Sequence, residues 1–205
     1  MLLGLGFGLT LNKRITIFEQ LGLQERLWRL GKFDYLEIEA MSPRFEHCRR
    51  LINESISAPI SMLDVGAGTG RALEHMFDII SSYCYVDVSR DATARFMTKL
   101  KNRSFPEIKI ETRNCDITSV QHQEHFDVIL GLGLNRFVYP HDIFERLSVG
   151  CLNRPGLIIL EASVQSEALD YYQLSAFQRS SRFSFRLSDD FANSVREREI
   201  CAIHF

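Results

Sequence analysis

The sequence predicts an α/β fold, a doubly wound and mostly parallel sheet with helices on both faces. Three observations predict it. Five short apolar runs alternate with stretches of helical period between Ile60 and Ala162. The first run ends in a glycine-rich turn, Gly66-Ala67-Gly68-Thr69-Gly70, that leads straight into a helical pattern. The second run closes on an acid, Asp87. Parallel neighbours need long crossovers, and helical crossovers cover both faces of the sheet.

Residues 1–11 are rich in Leu and Gly. They carry no basic leader, are too short to span a bilayer and lack a clear cleavage site, so a tail is expected, with a short strand or a pocket lid as alternatives. Over 15–30, Ile17, Phe18, Leu21, Leu27 and Leu30 recur at roughly helical spacing, with Trp28 beside them and Gly22 as a break. Ser42-Pro43 reads as a helix start, Ser at the cap and Pro in the first turn. Phe45, Cys48, Leu51, Ile52 and Ile56 mark the buried face of that helix, and Pro59 closes it. Strand one follows, then the glycine turn. The next helix carries Leu73, Met76, Phe77 and Ile80 inward, with Glu74 and His75 facing away. After a second strand ending at Asp87, Ser89 is a good N-cap for a helix with Phe96, Met97 and Leu100 on its apolar face, broken at Ser104-Phe105-Pro106.

Residues 108–112 alternate as a third strand, and 126–131 form a fourth. A helix over 142–152 turns Ile143, Phe144, Leu147 and Cys151 inward. Asn153-Arg154-Pro155-Gly156 is the turn before a fifth strand at 157–162. Beyond it the pattern thins. Tyr171, Tyr172 and Phe177 lie in a mixed helical stretch, and 182–187 reads as a short strand or a pocket loop. Ser188-Asp189-Asp190 is a helix start, and 200–205 is a sixth apolar run.

The chemistry gathers at the glycine turn. Glycines at every second position let a ligand approach the backbone with no Cβ in the way. The helix that follows offers unpaired N–H groups and a positive dipole end. An acid at the end of the second strand can accept both hydroxyls of a ribose, so the unit suits a nucleoside-containing cofactor. A dinucleotide fingerprint would place a third glycine where Arg71 stands.

With Asp64 two residues before Gly66, the pattern is D-x-G-x-G-x-G. It resembles motif I of the class I S-adenosylmethionine-dependent methyltransferases. The resemblance implies a Rossmann-like fold and S-adenosyl-L-methionine as cofactor. In that family the glycine loop passes under the amino-acid part of the cofactor and the motif-I acid helps hold it. Those roles would fall to Asp64, Gly66, Ala67, Gly68 and Gly70. The ribose site would be Asp87 with Val88, and the adenine site Asp116 and Ile117, after the third strand. Gly131, with Gly133, would let the backbone approach the methyl group. Tyr35 and Arg44, from the helical lead-in, could reach the cofactor's carboxylate. The loop facing the acceptor holds Asn135, Arg136, Tyr139 and His141, with His141 as candidate base and Asn135 and Tyr139 beside it as candidate catalytic residues. Nucleobase and glutamine N-methylating enzymes carry an Asn/Asp-Pro-Pro-aromatic motif after strand four. Here that stretch reads Gly131-Leu132-Gly133-Leu134-Asn135-Arg136. A small-molecule acceptor is therefore expected, bound among aromatics such as Phe137 and Tyr139. A non-catalytic cofactor-binding partner or sensor is the alternative, and a nucleotide-dependent oxidoreductase is disfavoured by the glycine spacing.

The family also carries a seventh, antiparallel strand between the fifth and sixth. No such strand can be placed here, so the expectation is a missing seventh strand and an open edge at 200–205. An open edge is a template for pairing with another chain. A homodimer is expected, or an edge covered by 182–187. The length and absence of linkers suggest one domain over 1–205: a lead-in at 1–58, a cofactor-binding core at 59–163, and a C-terminal part at 164–205. A net charge of -2 gives no bulk attraction for nucleic acid or an anionic membrane. Five widely spaced cysteines without C-x-x-C suggest neither a disulfide framework nor zinc, and a reducing cytoplasm. His122 and His125 read as loop residues, with no metal expected.

Overall fold

The computed structural model describes residues 22, 25–31, 42–105, 107–116, 120, 124–132, 150–163, 179–186 and 195–204. Seven strands form one sheet: β1 (Ile60–Val65), β2 (Ile80–Val86), β3 (Lys109–Arg113), β4 (Phe126–Gly131), β5 (Leu152–Ser163), β6 (Arg179–Arg186) and β7 (Val195–His204). Their order is β3-β2-β1-β4-β5-β7-β6. The pairs β1–β2, β2–β3, β1–β4 and β4–β5 are parallel, and β7 runs antiparallel to both β5 and β6. The order reverses between β1 and β4, where Asp64 lies level with Leu130. Open α/β sheets bind ligands at such a point, beyond the carboxyl ends of the strands.

Both faces of the central strands are buried, which is why they read as near-continuous apolar runs. Alternation sends Met62, Tyr83, Tyr85, Val128, Leu130, Leu157 and Ile159 to one core, and Leu63, Val65, Cys84, Val86, Ile129, Ile158 and Leu160 to the other. Helices α2 (Pro43–Ser55), α3 (Arg71–Met76) and α4 (Arg90–Asn102) contribute Phe45, Leu73 and Phe96 to the first core. A helical stretch at 25–29, α1, precedes them.

The expectation of a missing seventh strand is overturned. The described part of the run, 200–204, is the second half of β7, not a sixth strand, and β6 is the segment left open as strand or loop. β7 begins with Val-Arg-Glu-Arg-Glu and β6 reads Arg-Ser-Ser-Arg-Phe-Ser-Phe-Arg, so neither shows the apolar density of a buried strand. β6 is an edge strand, where charged residues discourage pairing with other chains. The open edge that motivated a homodimer is thus closed within the chain, in the alternative way foreseen: 200–204 has neighbours on both sides.

Smaller differences have local causes. Asn153–Gly156 lies inside β5, as a bulge in which one residue of β4 faces four of β5. α3 ends at Met76, so Phe77 is exposed and Ile80 opens β2. Met97 on α4 is exposed while Phe96 is buried. Gly22 itself is helical, and no described residue packs where its Cβ would be, while 23–24 lie outside the described residues. The expected helix start at 188–190 lies outside the described residues.

Candidate functional site

Strand β2 builds the site. Its period of two places Tyr83, Tyr85 and Asp87 on one side, and all three reach the β1 turn. The Tyr83 hydroxyl donates to Asp64 Oδ2. The Tyr85 hydroxyl donates to the Gly68 carbonyl at 2.7 Å. The Gly68 N–H donates to Asp87 Oδ2 at 2.8 Å. Backbone N–H groups of Gly66 and Ala67 both reach the Val86 carbonyl, at 2.8 and 3.2 Å. Gly66, Gly68 and Gly70 have φ of 65°, 58° and 74°, the left-handed region that favours glycine. Gly70 is the N-cap of α3, and a Cβ there would overlap the Phe96 ring. That ring stacks on Tyr85 with centroids 4.3 Å apart, so the third glycine is what lets α4 close on the turn.

Two buried acids flank the turn. Burial pushes the Asp64 carboxyl up to about 7, against the lowering effects of Tyr83 and Arg44. Burial likewise raises Asp87 to about 6, although N–H groups of Ser89 and Gly68 favour its charged form. Asp87 Oδ1 takes the Ser89 N–H at 2.8 Å, and the Asn114 side-chain amide donates to the Asp87 carbonyl at 2.8 Å. Ser89 caps α4 as expected, its hydroxyl oxygen accepting from the Ala92 N–H at 3.2 Å. The arrangement is a glycine turn half-buried at Gly66 and Ala67, a helix start, and two carboxylates whose burial makes each a strong acceptor for a ligand's N–H or O–H groups.

Residues 62–148 match the methyltransferase-domain family. Over those residues the chain is similar to that family, and its sheet has a Rossmann-like order. Against curated protein sequences it has no match. Its fold is similar to the N-methyltransferase NodS of Bradyrhizobium japonicum, solved with S-adenosylhomocysteine: TM-score 0.65 and 15% identity over 90% of this chain and 97% of that one. It is also similar to the 1,6-didemethyltoxoflavin N1-methyltransferase of Burkholderia thailandensis, solved with 1,6-didemethyltoxoflavin and S-adenosylhomocysteine: TM-score 0.66 and 14% identity over 90% and 86%. A protein of Pyrococcus horikoshii provisionally assigned as an RNA methyltransferase aligns with TM-score 0.62 and 10% identity over 80% and 82%. At these identities the likeness is one of fold.

Within the matched region, Asp64, Gly66, Ala67, Gly68, Gly70, Asp87 and Val88 come together at the carboxyl ends of β1 and β2. Asp116, half-buried, follows the end of β3, and buried Gly131 ends β4. Ile117, Tyr35, Gly133, Asn135, Arg136, Tyr139 and His141 lie outside the described residues.

Sequence reasoning missed two contacts from α1. The Glu25 carboxylate accepts from the Ser89 hydroxyl at 2.7 Å and from the N–H groups of Arg90 and Asp91 at 2.9 and 3.4 Å, sitting on the helix start of α4. The Trp28 ring lies against Gly68, 3.4 Å from where a Cβ would stand, and Arg95 sits over that ring at 5.5 Å. The only signal was Trp28 beside, rather than on, the helical stripe.

A second group forms at α2. Arg44 and Arg71 both approach the Phe45 ring, at 4.5 and 5.6 Å. Arg44 pairs with Glu161 of β5 at 3.4 Å, with side chains 8% and 1% exposed. Ser42 stands at the head of α2, but its hydroxyl accepts from Arg71 at 3.0 Å instead of capping the helix. His75, expected to face away, stacks on Phe45 at 4.6 Å.

Cys84, Glu111 and Glu124 bring possible ligand atoms within 4.8 Å of one another. Arg113 already pairs with both carboxylates, and burial pushes the Cys84 thiol up to about 12. A cation there would compete with a guanidinium and need a thiolate. His125 is exposed. No helix among the described residues is long and apolar enough to cross a membrane.

Proposed function

We propose that this enzyme transfers a methyl group from S-adenosyl-L-methionine to a small organic acceptor. The observation that carries the reading is the glycine turn bonded to the ribose-type acid: the Gly68 N–H on Asp87, beside the capped start of α4. The residues present fit the cofactor. Asp64 and Asp87 are buried acceptors, and Arg44 Nε is a buried donor with no acceptor among the described residues. Gly66, Ala67, Gly68 and Gly70 with Asp64 would hold the amino-acid end, Asp87 and Val88 the ribose, Asp116 and Ile117 the adenine. Gly131 would face the reacting methyl group.

The cofactor supplies a methyl group already activated by the sulfonium charge. The chain's task is then to orient the acceptor in line and exclude water. His141 is the proposed base where the acceptor must lose a proton, with Asn135 and Tyr139 beside it.

Two observations support a small acceptor over RNA. Two similar structures that align over 90% of this chain are N-methyltransferases, one of them holding 1,6-didemethyltoxoflavin. A net charge of -2 gives no bulk attraction for nucleic acid. The seven-stranded sheet gives no support to the alternative of a non-catalytic sensor. The test is calorimetric titration with S-adenosylhomocysteine and NAD. It is followed by transfer of labelled methyl from S-adenosylmethionine into a metabolite extract and, separately, into total RNA. Label in RNA alone, or NAD binding in preference to S-adenosylhomocysteine, would refute the reading.

A further inference from the structure

The Arg44–Glu161 pair calls for an explanation that packing does not supply. Both side chains are nearly inaccessible, and removing two charges from water for a pair at 3.4 Å is costly compared with apolar residues of the same size. A guanidinium has five N–H donors in a fixed fork. The bond to Glu161 is long for a charge-assisted one, and Nε has no acceptor among the described residues. Arg44 is thus buried, held from one side, and under-used as a donor.

Its location supplies the reason. Alternation along β5 puts Glu161 on the same face as Ile159, and alternation along β1 puts Asp64 on the same face as Met62; both faces belong to the core under α2. Asp64 is level with Leu130 and hence with Ile159, so Glu161 stands two residues further toward the carboxyl edge. Arg44 enters from the first turn of α2, and its charge is felt by Asp64. Asp64 and the Arg44–Glu161 pair thus lie on one face of the sheet toward its carboxyl edge, and an acid and an arginine on that face match the ammonium and carboxylate of an amino acid.

Resting on the cofactor reading above, we infer that Glu161 is a positioning residue: it holds the Arg44 guanidinium so that the remaining donors bind the carboxylate at the amino-acid end of S-adenosylmethionine. Phe45 supports the guanidinium from its other side, its ring 4.5 Å from the guanidinium carbon.

The experiment compares two ligands that differ only in that carboxylate, S-adenosylhomocysteine and its methyl ester, by calorimetry on the wild type, Glu161→Gln and Arg44→Gln. The wild type should prefer the acid by about tenfold or more, the scale of a charge-assisted bond. In both variants the preference should fall below about threefold, with the ester's own affinity within about twofold of wild type. A merely structural role would weaken both ligands together, and that result overturns the inference, as does an unchanged preference in Glu161→Gln. Should neither variant fold, the wild type still decides: equal binding of acid and ester overturns it. A wild type that binds neither ligand refutes the cofactor reading itself, a separate outcome.

Discussion

Asp64→Asn should change the pH dependence of stability in the ligand-free protein. Asp64 is 4% exposed, and burial raises its carboxyl from the reference 3.8 to about 7. A folded-state value above the unfolded one means that the folded protein binds the proton more tightly. Stability from this group is therefore fully present below about pH 3.8 and lost as pH rises through about 7. With about 1.4 kcal/mol per unit, the buried carboxylate costs on the order of 4 kcal/mol at pH 8 and roughly half that or less at pH 5. Asparagine keeps an oxygen for the Tyr83 hydroxyl but does not ionise. Its amide N–H groups carry their own desolvation cost, which is independent of pH. The clean quantity is thus the change in the variant-minus-wild-type difference. Urea unfolding at pH 8 and pH 5 should show Asp64→Asn gaining about 2 kcal/mol relative to wild type at the higher pH. A difference that is the same at both pH values would show that Asp64 is ionised in the folded protein throughout, and the account of it as a buried, readily protonated acceptor would fall.

Three further outcomes follow from the glycine turn and its acid. Gly70→Ala should destabilise the fold by about 1–3 kcal/mol, because its Cβ overlaps the Phe96 ring at a left-handed φ; a melting temperature within error of wild type would contradict this. Gly68→Val, at φ 58° and against Trp28, should weaken S-adenosylhomocysteine binding by about tenfold or more with the circular dichroism spectrum largely kept, and unchanged affinity would dismiss the turn as the binding site. Asp87→Ala should weaken both S-adenosylmethionine and S-adenosylhomocysteine by about tenfold or more, since both carry the ribose and the Gly68 N–H loses its acceptor; calorimetry showing either ligand unaffected would remove Asp87 from the site.

The parts of the site that were legible in the sequence are those whose cause is local. Glycines at 66, 68 and 70, an acid at the end of an apolar run and a serine at a helix start each answer to the backbone immediately around them. The strand at Phe126–Gly131 was readable to the residue because both its faces are buried. Edge and charged strands were not: Arg179–Arg186 carries no run of apolar residues, and the Arg-Glu alternation hides where β7 begins. Contacts across the fold left no local trace either. Glu25 meets Ser89, and Arg44 meets Glu161, more than sixty and one hundred residues away, and Glu161 read only as one residue of an apolar strand.

The wiring of the turn bears on how the site binds. Three left-handed glycines at alternate positions form a conformation that a free chain would seldom hold, since glycine has the most backbone freedom to lose. Here the turn is tied at both polar groups of Gly68, the carbonyl by Tyr85 and the N–H by Asp87, and Tyr85 is itself stacked on Phe96. Its ordering is therefore completed during folding, and a ligand meets a preformed cradle rather than bearing the entropy of arranging it. The same wiring explains why the acids are buried. A carboxylate exposed to water would anchor the turn weakly, whereas one in a low-dielectric surround holds its donors firmly and is then raised toward neutrality. Rigidity of the turn and the raised carboxyls at Asp64 and Asp87 are two consequences of one choice, the placing of Tyr83, Tyr85 and Asp87 at alternate positions along β2 and just beyond it.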